Sequence, residues 1–145
     1  MSATPISRKT VREVIAAGLA ANVPGAQAVY GYAKADFAGQ SPIVRVMSTN
    51  VLRPQLAAQG IRSIMRFTVD VWVLLGDPAT GWTESNAEDT IDTIEHEIVT
   101  WVTSNQNNGT WTSLLYDRET DIQPVVVAGE AWLVEEITLR AEVYG

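Results

Sequence analysis

Apolar residues at Ala87, Ile91, Ile94, Ile98, Trp101 and Val102 recur at intervals of three and four. That period places side chains on one face of an α-helix, so the spacing predicts a helix over residues 86–104. Ser85 stands just before it and Glu88 three residues later, the spacing of a capping box. Glu88, Asp89 and Asp92 fall near the positive end of the helix dipole, where negative charge is favoured. The opposite face carries Asp92, Glu95, His96, Thr100 and Thr103 and is wettable, so the apolar side has to lie on something apolar. A shorter helix is predicted over residues 10–21, with Val11, Val14, Ile15 and Leu19 as its stripe. Asn22, Pro24 and Gly25 stop it. Gly18 counts against it, since a helix-interior glycine costs about 1 kcal/mol relative to alanine.

Between and after the helices the period changes to two. Phe67, Val69, Val71 and Val73 alternate with Thr68, Asp70, Trp72 and Leu74, which predicts a strand over residues 63–75. Gly76, Asp77 and Pro78 end it, and Gly81 carries the chain over to the long helix. Residues 132–144 form the last strand, with Leu133, Ile137, Leu139, Ala141 and Val143 on one side. Trp132, Val134, Glu136, Thr138, Arg140 and Glu142 lie on the other, and Glu135 breaks the apolar series. Residues 122–127 pair with it as a hairpin turning at Gly129-Glu130; Pro124 marks this strand as a sheet edge or a bulge. Shorter strands are expected over residues 27–32 and 43–47. Residues 48–62 show neither period, and Pro54 and Gly60 interrupt them. Asn108-Gly109 is a turn, after which Trp111, Leu114 and Leu115 pin the chain to the core.

Strands that cluster between two helices favour an α+β domain. The expected architecture is a mostly antiparallel sheet with two helices packed on one face, plus a long loop or arm between strands. At 145 residues the chain is one domain with room for a hydrophobic core. The outer sheet face is then partly apolar, through Trp72, Leu74, Trp132 and Val134, and such a patch marks a contact surface.

Charge sharpens the picture. The formal net charge is −7, which argues against gripping nucleic acid through a basic surface. The cations are unevenly placed: Arg8, Lys9 and Arg12 near the start, then Arg45, Arg53, Arg62 and Arg66 in and around the irregular segment. The long helix and the C-terminal half are acidic. A subunit with a basic and an acidic end can associate head to tail and close a ring. The chain has no cysteine, which excludes thiol chemistry and disulfides and fits a reducing compartment. The first ten residues lack a signal-peptide core, and the longest apolar run, residues 71–75, is too short to span a bilayer, so a cytoplasmic protein without a membrane partner is expected.

No catalytic set emerges. His96 is the single histidine, and Glu95 and Glu97 beside it on a helix point elsewhere. Asp117, Glu119 and Asp121 lack the glycine and closing glutamate of a calcium loop. Glu135 and Glu136 point to opposite sheet faces. No glycine-rich phosphate loop is present. Neither a metal nor a cofactor is expected. The residues favoured for an interface are Arg45, Arg53, Arg62, Arg66, Asp70, Trp72 and Trp132.

The order of these segments carries a resemblance. A short helix leads into VYGYAKADFAGQSPIVRV, then the strand FTVDVWVLLGDP, the acidic helix ESNAEDTIDTIEHEIVTWV, a WTSLLYD segment, and the hairpin VVVAGEAWLVEEITLRAEV. Over nearly the whole chain this resembles the tail terminator family (minor tail protein U-like, tail completion) of long-tailed bacteriophages and related phage-like particles. The resemblance implies a non-enzymatic virion protein, assembled in the host cytoplasm into a hexameric ring. Such a ring caps the tail tube protein, stops its polymerisation and docks the head-neck connector, while DNA passes through the lumen without specific binding. Two alternatives remain: another neck or tail component, such as a head–tail connector or tube subunit, or a small-molecule-binding domain or hydrolase with a pocket on the outer face near Asp70, Trp72 and Trp132.

Overall fold

The computed structural model describes residues 6–53, 55–56, 60–76 and 83–144. In chain order the elements are α1 (Arg8–Asn22), β1 (Ala28–Tyr30), β2 (Ile43–Leu52), β3 (Gln55–Leu56), β4 (Gly60–Leu74), α2 (Glu84–Ser104), β5 (Ser113–Tyr116), β6 (Asp121–Val127) and β7 (Glu130–Tyr144). The sheet runs β1-β2-β4-β7-β5, with β3 added to β4 and β6 added to β7. Among the described residues only β1 pairs in parallel; the other pairings are antiparallel. This is the expected α+β layer.

The alternation read in β4 and β7 builds the core. Met65, Phe67, Val69, Val71 and Val73 line up with Ala141, Leu139, Ile137, Glu135 and Leu133 on the face under the helices. Val11, Ile15 and Leu19 of α1 and Ala87, Ile91, Ile94 and Ile98 of α2 are fully buried against them. The amphipathic stripes of both helices therefore find one shared floor. The glycine that weakened the reading of α1 has a packing role. A Cβ at Gly18 would lie 2.1 Å from Cζ2 of Trp101, so the glycine is where α2's tryptophan crosses α1.

Three readings are corrected. First, the described residues among 48–62 are largely strand. β2 continues to Leu52 and β4 begins at Gly60, paired Leu52 to Ile64 across a bulge between Ser48 and Asn50. The bulge breaks the period, which hid the strand from a sequence reading. The expected arm is thus an extended β2–β4 hairpin; Pro54 lies outside the described residues, as do Asp77, Pro78 and Gly81. Second, residues 113–116 form a strand on β7, because Leu114 is buried beside Trp111 while β7 offers an open edge. Third, the α2 cap is Thr83, whose hydroxyl accepts from Asn86 N at 3.1 Å, and Ser85 lies inside the helix. Thr83→Ala is expected to cost about 1 kcal/mol, whereas Ser85→Ala should change stability by less than about 0.5 kcal/mol. Paired thermal melts read the difference.

The closing hairpin turns at Ala128-Gly129, one residue earlier than the sequence suggested, since Val127 pairs with Glu130. Both turn residues have positive φ, 51° and 80°, the geometry of a two-residue hairpin turn.

Candidate assembly surfaces

On the outer sheet face, register brings four of the expected residues together. Arg45 stands opposite Asp70, and Trp72 opposite Val134, with Leu74 opposite Trp132 in the next outward row. The residues between β1 and β2 fold over this face. Gln27 N donates to Pro42 O, Ser41 N to Gln27 Oε1, and Leu74 N to Ser41 Oγ, which ties the returning chain to the sheet. Phe37 then seats between Trp72 and Trp132, each ring centroid 5.4 Å away and edge-on. The aromatic patch expected to be exposed is therefore a second small core: Leu74, Trp132 and Val134 are buried, and Trp72 is half-buried. Phe37 sits in a turn-rich stretch with no period, so nothing local announced its partner.

Arg45 holds this corner together. Its Nε and Nη2 donate to the two oxygens of Asp70 at 2.9 and 2.6 Å, and its Nη1 donates to Lys34 O at 3.0 Å. The guanidinium lies over Trp72 and Phe37, 5.2 and 5.7 Å from the ring centres. This is a bidentate, charge-assisted pair with cation–π contact. A cleft of about 290 Å³ opens above it, bordered by Asp36, Phe37, Trp72, Glu130 and Trp132. Arg45 lines it, already paired with Asp70.

The other expected interface cations are also engaged within the chain. Arg62 donates to Glu142 through Nε at 2.9 Å and through Nη2. Arg66 donates to Asp117 Oδ2 at 2.8 Å. Arg53 bonds Ser63 Oγ and Ile6 O, fastening the start of the chain to the hairpin. The basic run of the sequence thus becomes a set of separate cross-strand and cross-loop ties. Arg8 and Lys9, at the start of α1, stay exposed; among the described residues Lys9 makes only a loose contact with Glu13.

On the helix side the break in the β7 pattern has a counterpart. Glu135 is 2% exposed. Thr120 Oγ1 donates to its Oε2, and its Oε1 has no partner among the described residues. Burial pushes this carboxyl above the ordinary range, the Thr120 bond partly opposes that, and Glu95 and Asp92 of α2 add to the rise. Tyr116 donates to Glu95 at 3.2 Å; burial, then Glu95, raise its phenol, so it stays a donor. Because Glu135 binds its proton more tightly folded than unfolded, it favours the fold at acid pH and loses that contribution as pH rises through its folded pKa. Glu135→Gln is expected to raise stability at pH 7 by about 1 kcal/mol, with the gain gone below about pH 4. Urea denaturation at the two pH values measures it.

His96 is exposed beside Glu97, Thr100 and Trp101 along an open groove of about 380 Å³ next to Asn22.

No family profile and no curated protein matches this sequence. Among solved structures the chain is similar to one from a "Virion of native gene transfer agent (GTA) particle", with 17% identity and a TM-score of 0.49 over 94% of this chain and 92% of that one.

Three working residues escaped the sequence reading. Glu142 and Asp117, the anchors of Arg62 and Arg66, lie 80 and 51 positions from their partners. Thr120 sits in a polar loop that reads as mere solubility. Glu135 did leave a signal, as the one polar break in a buried series.

Proposed function

We propose that this chain is a structural virion protein, a ring-forming tail terminator that caps the tail tube and joins it to the head-neck connector, with no enzymatic role. The observation that carries the reading is the arrangement of its segments, helix, paired strands, acidic helix and closing hairpin, built as one α+β layer. The ring is hexameric in the family that the sequence resembles. An acidic surface suits a lumen through which DNA moves without sticking, because like charge disfavours phosphate binding. The net charge of −7 is of that sign.

Electron microscopy of the protein mixed with purified tail tubes of its own particle tests this. A closed ring at one tube end, with tube growth halted, is expected. Long tubes built from this chain itself would make it a tube subunit instead. A small species that ignores the tubes would remove the reading.

A further inference from the structure

Among the described residues no strand pairs with the outer edge of β6. Its helix-side positions are Ile122, Pro124 and Val126, opposite Glu135, Leu133 and Ala131. Leu133 is covered by the helices, but Val126 is 72% and Ile122 45% exposed. An edge strand bare on its core-side face is a surface that natural folds normally cover or blunt. Beside it stand Asp92 and Glu95 of α2 and Glu135, whose unpartnered Oε1 is buried. Among the described residues none of these three carboxylates pairs with a cation. The strip is thus apolar on one side and anionic on the other.

The complement lies at the far end of the same molecule. β6 pairs with the start of β7, at the Leu74 end of β4; Leu52, the last residue of β2, pairs with Ile64 toward the Arg62 end. There Arg53 holds Ile6 O, which places the start of α1 at that end, near Leu52, 57% exposed. The first turn of α1 has no acidic residue to balance its dipole and carries Arg8 and Lys9 instead. This end is cationic with an exposed leucine.

We propose that the strip formed by β6, Asp92, Glu95 and Glu135 receives the Arg8-Lys9 end of α1 from a second copy of this chain. The proposal rests on the ring reading and names its contact. The two patches differ and lie at opposite ends, so the contact is heterologous and repeats head to tail, closing when the rotation allows. Opposite charge sets its orientation and side-chain burial on Val126 and Ile122 holds it.

The test uses three full-length variants: Arg8→Glu/Lys9→Glu, Asp92→Arg/Glu95→Lys, which makes the strip net positive, and all four changes together. Sedimentation and native mass spectrometry read self-association, and circular dichroism reads folding. Each partial variant should associate at least about 10-fold more weakly than the wild type. An equimolar mixture of the two should recover association, as should the combined variant, because each reversed patch then meets a reversed partner. Loss without recovery in either swap overturns the contact. If the wild type associates and the reversals leave it unchanged, this contact is wrong while the ring reading stands. A wild type that stays monomeric up to about 1 mM also overturns the contact; the terminator reading is then decided by the tube experiment alone.

Discussion

Asp70→Ala is expected to lower stability by about 3–5 kcal/mol, the largest loss among single changes to charged residues here. The side chain of Asp70 is 5% exposed and that of Arg45 15%, so removing the carboxylate strands a guanidinium inside the protein. Two hydrogen bonds go with it, and the arginine also carries the Lys34 carbonyl and the faces of Phe37 and Trp72. The connection between β1 and β2 should therefore loosen before the sheet does, and the fluorescence of Trp72 and Trp132 should shift at low urea. Replacing both partners by apolar residues, Arg45→Met with Asp70→Leu, should recover most of the loss, since the cost lies in the orphaned charge and not in the absence of a pair. Urea denaturation of the single and double variants measures this. A loss below about 1 kcal/mol for Asp70→Ala would mean that water reaches Arg45 and that the corner is not a core.

The second large effect is expected at Gly18. Alanine there gains about 1 kcal/mol in helix propensity, so a freely exposed site would be stabilised. The structure predicts the reverse sign. The new methyl would stand 2.1 Å from Cζ2 and 2.6 Å from Cε2 of Trp101. Trp101 has little room to swing aside: it is buried and packs edge-on against Trp111, whose indole N–H donates to Asn105 O at 2.6 Å. Overpacking costs about 1–3 kcal/mol; a 2.1 Å approach to an indole belongs in the upper part of that range, about 2–3 kcal/mol, which leaves a net loss of about 1–2 kcal/mol once the propensity gain of about 1 kcal/mol is subtracted. Trp101→Leu in the same chain should make Gly18→Ala neutral or favourable, because the shorter side chain vacates the space. Additive losses in that double-mutant cycle would show that the two residues do not collide.

Arg62 and Arg66 are tied within the subunit as well as placed near a possible contact surface. Each sits beside a carboxylate of its own chain, Glu142 or Asp117. A glutamate at either position should weaken the fold as well as any contact between subunits, and circular dichroism melts alongside particle assembly separate the two. Arg8 and Lys9, exposed at the end of α1, are the cleaner probes of association.

What the sequence determined by itself is what local period and local charge can encode. The stripes of α1 and α2, the alternation in β4 and β7, and the edge position of the Pro124 strand are consequences of where side chains point along one segment. The one-sided acidity of α2 is of the same kind. The tertiary structure alone decided partnership. Arg45 and Asp70 meet across β2 and β4 through a register that no single strand specifies. Phe37 covers Trp72 and Trp132 because hydrogen bonds among Gln27, Ser41, Pro42 and Leu74 fold its loop over the sheet. Gly18 reads as a weak helix position until Trp101 crosses it. Glu135 reads as an interruption until burial and two carboxylates from α2 surround it. In each case the deciding neighbour is brought close by the fold and lies far away along the chain, where periodicity has no reach.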